Sequence, residues 1–451
     1  MAKIIFSTAS GIANATKLPC FYEGFVRALA RNGNQVMLMV TNDFLRSPFS
    51  KGDLKNNINS KKLEEDIIKF NPDLVISANG SLYDRIANIV DCPIVIYGVD
   101  SPELFSNKEF IKKNTSRFDL LMASSDFIKT SSECFGYNAK SLNLMHFATD
   151  FISEDKVQNT NISFIGTDFG FSTSRISELI KESPKTREIL RSFFLKIDRS
   201  YLNNVEILSK TFYEDKDINT IISFCDFLNI LSSNVRIEVL SSISDLGLGL
   251  YGSSSWADLS NVSINLSLSY DSAEISSLKE NQDIYNSSKI SINISHVQAG
   301  SALPWRARDI MASNSVLLSD NRSDLKKEFG KYVDIPTYNN AYEARVLCDK
   351  LLKDDIWRKE IVQNSQIAID AEHRFEHRFK FMQDLYGIKL LSDNESGGYS
   401  RVNVSKYDDH AYSSLIKPKY NSLLKISNRV RINIFRKLFS NKRLMRVFRI
   451  K

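Results

Sequence analysis

The stretch from Asp283 to Asp320, DIYNSSKISINISHVQAGSALPWRARDIMASNSVLLSD, constrains the fold more than any other part of the chain. A short helix carrying Ile284 and Tyr285 leads into an apolar strand, Ile290 to Ile294, which opens into the polar loop HVQAGSA. An amphipathic segment bearing Arg308 and Asp309 follows, then a second apolar strand from Val316 to Ser319 that ends at Asp320. Strand, loop, helix and strand in that order make one crossover of a mainly parallel sheet. Ligands of such open sheets collect beyond the carboxyl ends of the strands, where the loop His296 to Arg306 is expected.

The same alternation runs through the rest of the chain. KIIFS reads as a strand and a helix follows around Phe21, Phe25, Val26, Leu29 and Ala30; QVMLMV is the next strand. Further strands are expected at Leu74 to Ser77, Ile94 to Tyr97 and Leu120 to Ala123, the second leaving Asp100 just past its carboxyl end and the last meeting a helix cap at Ser124 or Ser125. KSLNLMHFATD puts His146 in a similar loop. After the polar span EDKVQNTN, ISFIGTDFG restarts the pattern with a strand ending at Gly166. RIEVLSS reads as a return to the sheet, LGLGLYG as a strand reaching Gly252, and NVSINLSLSYD as an ambiguous β segment. The expected architecture is α/β: a Rossmann-like domain over 1–155, a second over 161–391, a linker over 392–416 with adjacent glycines, and a basic tail over 417–451.

Length and charge agree with this division. A chain of 451 residues exceeds one ordinary core. Five scattered cysteines fit a reducing compartment and argue against a disulfide scaffold or a structural zinc site. The opening MAKIIFSTAS reads as a first strand rather than a signal peptide, and no window supplies the ~20 apolar residues of a membrane span, so a cytoplasmic protein is expected. Of the 59 Lys and Arg, twelve lie in 417–451 without one Asp or Glu; the remaining 47 face 53 acidic residues, leaving a body near −6. The body therefore carries no nucleic-acid footprint. In the tail, Val430, Ile434 and Leu438 share a helical face flanked by Arg429, Arg436, Lys437, Lys442 and Arg443. That pattern suits an anionic membrane surface or equally a terminal helix packed on protein.

Several patterns in this order resemble the CgeB-like group of two-domain GT-B glycosyltransferases: YGVDSPELF after a strand, FDLLMASSDF, SFIGTDF, LYGSSSW, IYNSSKISINIS with PWRARDIMASNSVLLSD, and the later DDIWRKEIVQNSQ and HRFEHRFKFM. The resemblance covers about residues 70 to 385. It implies two Rossmann-like domains facing a cleft, with a nucleotide-sugar held mainly by the second domain and a glycan, glycolipid or surface-polymer acceptor by the first. In such proteins RARDIMASNS reads as Arg, two variable residues and Glu; here the acid is Asp309, one methylene shorter, and Asn314 stands where Gly is common.

Sugar transfer places negative charge on the leaving phosphates and, in an inverting reaction, needs a base for the incoming hydroxyl. Asp100 is the first candidate base, set against an Asp turn before Pro102; His146 is the second, set against an ordinary loop histidine. On the donor side Arg306, before the helix proper, is the candidate for the diphosphate, set against an ordinary salt-bridged surface arginine; Arg308, two residues on, does not share its helical face. The resemblance assigns Asp309 to ribose hydroxyls, set against a carboxylate serving the helix dipole. Gly300, Ser301 and Ala302 offer a small-residue approach to phosphate, Gly252 and Trp256 another wall of the pocket, and Ser254 and Gly166 complete the candidates. The missing GxGxxG counts against a nucleotide-sugar epimerase, and His373 and His377 lack the HExxH zinc pattern. No metal and no cofactor beyond the nucleotide-sugar substrate is expected; a non-catalytic carbohydrate-binding protein on the same fold is the alternative.

Overall fold

The structure, a computed structural model, describes residues 1–403 apart from 11–17, 43–60, 84, 103–104, 106–110, 112–114, 134–139, 183, 185–186, 189–190, 192–217, 272–274, 276, 299 and 393–396. The basic tail, and its expected helix, lie outside the described residues.

Two parallel sheets carry the molecule. The first comprises β1 (Lys3–Ser10), β2 (Gln35–Asn42), β3 (Leu74–Ala78), β4 (Ile94–Gly98), β5 (Phe118–Met122), β6 (Ser141–Leu144) and a late strand, β12 (Gly398–Asn403), in the order β12-β2-β1-β3-β4-β5-β6. The second comprises β7 (Thr160–Gly166), β8 (Leu248–Gly252), β9 (Ser288–Asn293), β10 (Val316–Asp320) and β11 (Thr337–Tyr338), in the order β11-β10-β9-β7-β8. Residues on both faces of β3, β4 and β5 are buried, as helices covering both sides of a parallel sheet require. In the second sheet the chain leaves β7 for β8 on one side and then returns to β9 on the other. The strand order thus reverses between β7 and β9, and a crevice opens beyond their carboxyl ends.

The organising crossover has the expected form. Ser277 and Glu280 build a capping box on the helix Leu278–Asn286, β9 follows, and the helix Trp305–Met311 returns the chain to β10, paired in parallel with β9 from Val316 opposite Ile290. Pro304 precedes the first helical residue, where its fixed φ of −64° and absent N–H cost nothing.

Three expectations are corrected. RIEVLSS is not a strand but the end of the helix Ile218–Ile243. Arg236, Val239, Leu240 and Ile243 are all buried at i, i+3, i+4 and i+7, so the helical period overrides the β-branched residues between them. NVSINLSLSYD likewise contains a short helix, Ile264–Leu268, whose Ser263 side chain accepts from the Leu266 N–H. Finally, the chain recrosses to the first domain before residue 391. Phe375, Phe379 and Met382 of the helix Phe375–Tyr386 enter the first domain's core, with Phe25 packed edge-on at 5.3 and 5.4 Å from Phe375 and Phe379. The expected linker then supplies β12, parallel to β2 with Gly398 opposite Gln35. Gly397 is needed because a Cβ there would strike the Asn34 backbone, so the glycine pair serves a close approach rather than a flexible joint. Among the described residues no helix is long and apolar enough to cross a membrane.

Candidate functional site

A cavity of about 410 Å³ lies between the carboxyl edges of the two sheets. The first domain contributes Val99 and Asp100 past β4, with Phe127 and Phe147; the second contributes Gly166 to Phe169 past β7 and the loop after β9. Trp305 and Arg306, in the first turn of the helix Trp305–Met311, close the floor.

Two arginines dominate its electrostatics. Arg236 is 4% exposed; its Nη1 donates to the Thr167 carbonyl at 2.6 Å, while Nε is buried without a protein partner. Its guanidinium lies 4.6 Å from the Phe169 ring centroid and 5.7 Å from that of Phe164. Arg306 sits 5.2 Å over the same Phe164, and its Nη1 is likewise buried and unpartnered. Burial, followed by repulsion from Arg306, lowers the Arg236 pKa to about 9. Two cations held together at the end of β7 with unfilled donors are arranged for an anion.

Opposite them, Asp100 is half-buried. Asn79 donates from Nδ2 to its Oδ2 at 2.7 Å, and Gln298 reaches from the other domain to donate from Nε2 to Oδ1 at 3.1 Å. His296 fixes that loop: its Nδ1 accepts from the Gln298 backbone N–H at 3.1 Å, which leaves Nε2–H to donate to Asn229 Oδ1 at 2.9 Å. Burial, with Arg236 and Arg322 nearby, lowers the His296 pKa to about 3, so the ring is neutral.

Of the sequence candidates, the fold brings Asp100, Gly166, Ala302 and Arg306 to the cavity. The others serve different ends. His146 does not line it; its Nδ1–H donates to the Ala123 carbonyl at 3.1 Å, with Glu328 3.5 Å from the same nitrogen, and burial lowers its pKa. Asp309 is 3% exposed and lies a turn deeper along its helix, where its carboxylate accepts from Thr149 Oγ1 at 2.6 Å and meets the Cys20 thiol at 3.9 Å. It joins the domains instead of facing the cavity. Burial raises its pKa to about 7.

The small-residue loop is also spent on protein contacts. The Gly300 carbonyl accepts from Arg322 at 3.1 Å; the Ser301 N–H donates to Asp126, and its hydroxyl to Asp324 at 2.8 Å. Two carboxylates beside Ser301 oppose a phosphate there. Trp256 is fully buried in the second core, edge-on to Phe164, and donates from Nε1 to the Gly166 carbonyl at 2.9 Å. Gly252, at φ 123°, passes so close to Gly166 that a Cβ would collide with its carbonyl, while Ser254 is exposed at the start of a 3-10 turn. These three shape the end of β7 without lining the cavity.

Sequence reasoning missed Arg236, His296, Gln298 and Trp305 as individual site residues. The discoverable signal was Arg236, a charge within an otherwise apolar i, i+3, i+4, i+7 set. Trp305 stacks on Phe21 of the helix Cys20–Arg31 at 5.4 Å and 15°, and meets Phe147 edge-on at 5.9 Å, so it plugs the second domain into the first.

Residues 236–384 match the family described as glycosyl transferase-like, a segment that begins at Arg236 and contains the whole crossover. No curated protein matches the chain. Among solved structures, sucrose-phosphate synthase from Thermosynechococcus elongatus aligns with a TM-score of 0.51 at 11% identity, covering 86% of this chain and 98% of its own. Anabaena Alr3699/HepE, in complex with UDP-glucose, aligns with a TM-score of 0.50 at 10% identity, covering 86% and 100%. At such identities these likenesses speak for the fold. The glycosyl transferase-like match thus falls on the second of two facing parallel-sheet domains, the GT-B arrangement that these structures share.

Proposed function

We propose that the enzyme takes its sugar from a nucleoside-diphosphate donor and passes it to a hydroxyl of a glycan or glycolipid, in the manner of the CgeB-like group its motifs resemble. The observation that carries this is the pair at the carboxyl end of β7, buried Arg236 and half-buried Arg306, each with one buried nitrogen unfilled by protein. A diphosphate placed there receives charge-assisted hydrogen bonds that strengthen as the sugar departs. The arginines take the role of counter-charge, without a metal.

Asp100 lines the same cavity from the first domain, and we assign the acceptor to that side. The acceptor O–H gives its proton to the carboxylate while the oxygen's electron pair forms the new bond to the anomeric carbon. The bond from that carbon to the diphosphate oxygen breaks, its electron pair leaving with the phosphate. Phe127, Phe147 and Trp305 limit water in the cavity, which strengthens both sets of charges.

The test is a panel of nucleotide-sugars, starting with UDP-glucose as bound by the Anabaena protein. Thermal shift and nucleotide release are followed with the full chain. Donor binding with release of nucleoside diphosphate is expected, and both are lost together in Arg236→Met with Arg306→Met. Binding without release or transfer to any acceptor favours a carbohydrate-binding protein on the same fold.

Residues 417–451 supply a second element of the proposal, contact with an anionic membrane face where a lipid-linked acceptor would be met. Its support is the twelve Lys and Arg in that span without an acidic residue. Deleting 417–451 is expected to abolish binding to phosphatidylserine vesicles and leave nucleotide binding intact; unchanged vesicle binding would remove this element.

A further inference from the structure

Asp100 is held from two domains at once, and the two holds are unlike. On its own domain, Asn79 adopts the left-handed conformation, φ 52°, at the end of β3. That turn lets one side chain make three bonds: Oδ1 accepts from the N–H groups of Val99 at 2.8 Å and Asp100 at 3.0 Å, and Nδ2 donates to Asp100 Oδ2. A non-glycine residue kept at positive φ costs of order 1 kcal/mol and persists where the surroundings over-determine it. Asn79 therefore fixes one carboxylate oxygen independently of the second domain.

The other oxygen is reached from the second domain. Gln298 is anchored to the second domain through its own N–H on His296, through His296 on Asn229, and through Asn229 Nδ2 on Ser172 at 3.0 Å. Only its amide crosses the cavity. Its Oε1 is buried without a protein partner, and the reverse amide orientation would set oxygen against an acceptor-only carboxylate. Asp100 thus dictates which way the amide faces.

We infer that Gln298 is a positioning residue for sugar transfer: from the donor-side domain it donates to Asp100 Oδ1 and so aligns the base across the cavity. The inference rests on the assignment of Asp100 as base. It makes the loop after β9 the element through which the donor domain controls the acceptor-side carboxylate. The charged groups sharing that cavity are Arg236 and Arg306, with neutral His296 beside them.

The experiment uses the full chain labelled with ¹³C at aspartate carboxyl carbons, without nucleotide, the Asp100 signal being assigned from Asp100→Asn. Removing a donor from an ionised carboxylate moves its titration midpoint up. Gln298→Leu is expected to raise that midpoint by about 0.5–1 pH unit, and Gln298→Glu, which keeps the side chain's shape and adds a like charge, by more. Asn79→Ala is expected to raise it as well. In parallel, UDP release from UDP-glucose is followed against pH. Gln298→Leu should lower kcat by about tenfold, leave KM within about twofold, and carry the acidic limb of the profile upward.

A midpoint unmoved in both Gln298 variants overturns the inference whatever the turnover. A loss confined to KM, with kcat unchanged, also overturns it, since that is the mark of donor binding. A moved midpoint in a protein that neither binds nor cleaves any nucleotide-sugar leaves the grip on Asp100 established and defeats the transfer reading instead.

Discussion

Arg236 and Arg306 share one aromatic ring. Their guanidinium carbons lie 5.7 and 5.2 Å from the centroid of Phe164, one arriving from the helix Ile218–Ile243 and the other from the helix Trp305–Met311. Phe164 belongs to β7, the strand at which the second sheet reverses its order. The ring's π-face partly offsets the repulsion of the two cations.

On the proposed reading, that arrangement costs stability and gains affinity for the donor. Arg236→Met removes a buried charge with an unfilled donor, so the ligand-free protein should melt at a higher temperature. The same change deletes a charge-assisted contact of roughly 1.5–3 kcal/mol, weakening UDP binding by about 10- to 100-fold. Differential scanning fluorimetry and titration calorimetry with UDP read the two effects. A drop in both melting temperature and affinity would point to a purely structural arginine.

Asp309 makes stability depend on pH. Its carboxyl has an ordinary pKa of 3.8 and is raised to about 7 in the fold, first by burial. The folded state then holds the proton more tightly than the unfolded chain, so this group's contribution is intact below about pH 4. It is lost as pH rises toward 7. Asp309→Asn keeps an acceptor for Thr149 and abolishes the loss, by a few kcal/mol. The variant should gain melting temperature relative to the parent at pH 8, less at pH 5, and not below about pH 4.

Gly252→Ala is expected to cost about 2–4 kcal/mol. Its φ of 123° is a glycine conformation, and the new Cβ would meet the Gly166 carbonyl that accepts from Trp256. Urea unfolding followed by Trp fluorescence checks it. Gly398→Ala, whose Cβ would meet open space, is the control and should be near neutral.

Trp305→Ala takes the plug out of the first domain. Losing its stack on Phe21 and edge contact with Phe147 should cost about 3–5 kcal/mol and increase the radius of gyration by X-ray scattering. Trp305→Phe retains an aromatic face and should recover most of the compactness. Equal scattering from all three proteins would show that the domains are held elsewhere.

Much of the scaffold was readable because its signals are local. Apolar runs such as KIIFS, LVISA and IVIYG lie between polar loops and helical faces, and parallel sheets buried on both sides produce that pattern. The reading failed where two periods compete within a few residues, as in RIEVLSS, and where glycines meant contact rather than freedom, as at Gly397. Asp100, Gly166, Ala302 and Arg306 were legible because strand ends and the crossover loop must point toward a crevice.

The sequence by itself determined an α/β chain with two parallel units, the crossover from β9 to β10, and the strand ends at which a ligand would be met. Tertiary structure decided which polar residues meet it. Asp309 and Arg306 are three residues apart on one helix, yet one is sealed against Thr149 and the other faces the cavity. Asp100 and Gln298 are 198 positions apart and share a hydrogen bond. Local pattern reports the face of its own element; burial and pairing depend on what the rest of the chain brings against that face, and no short window contains it.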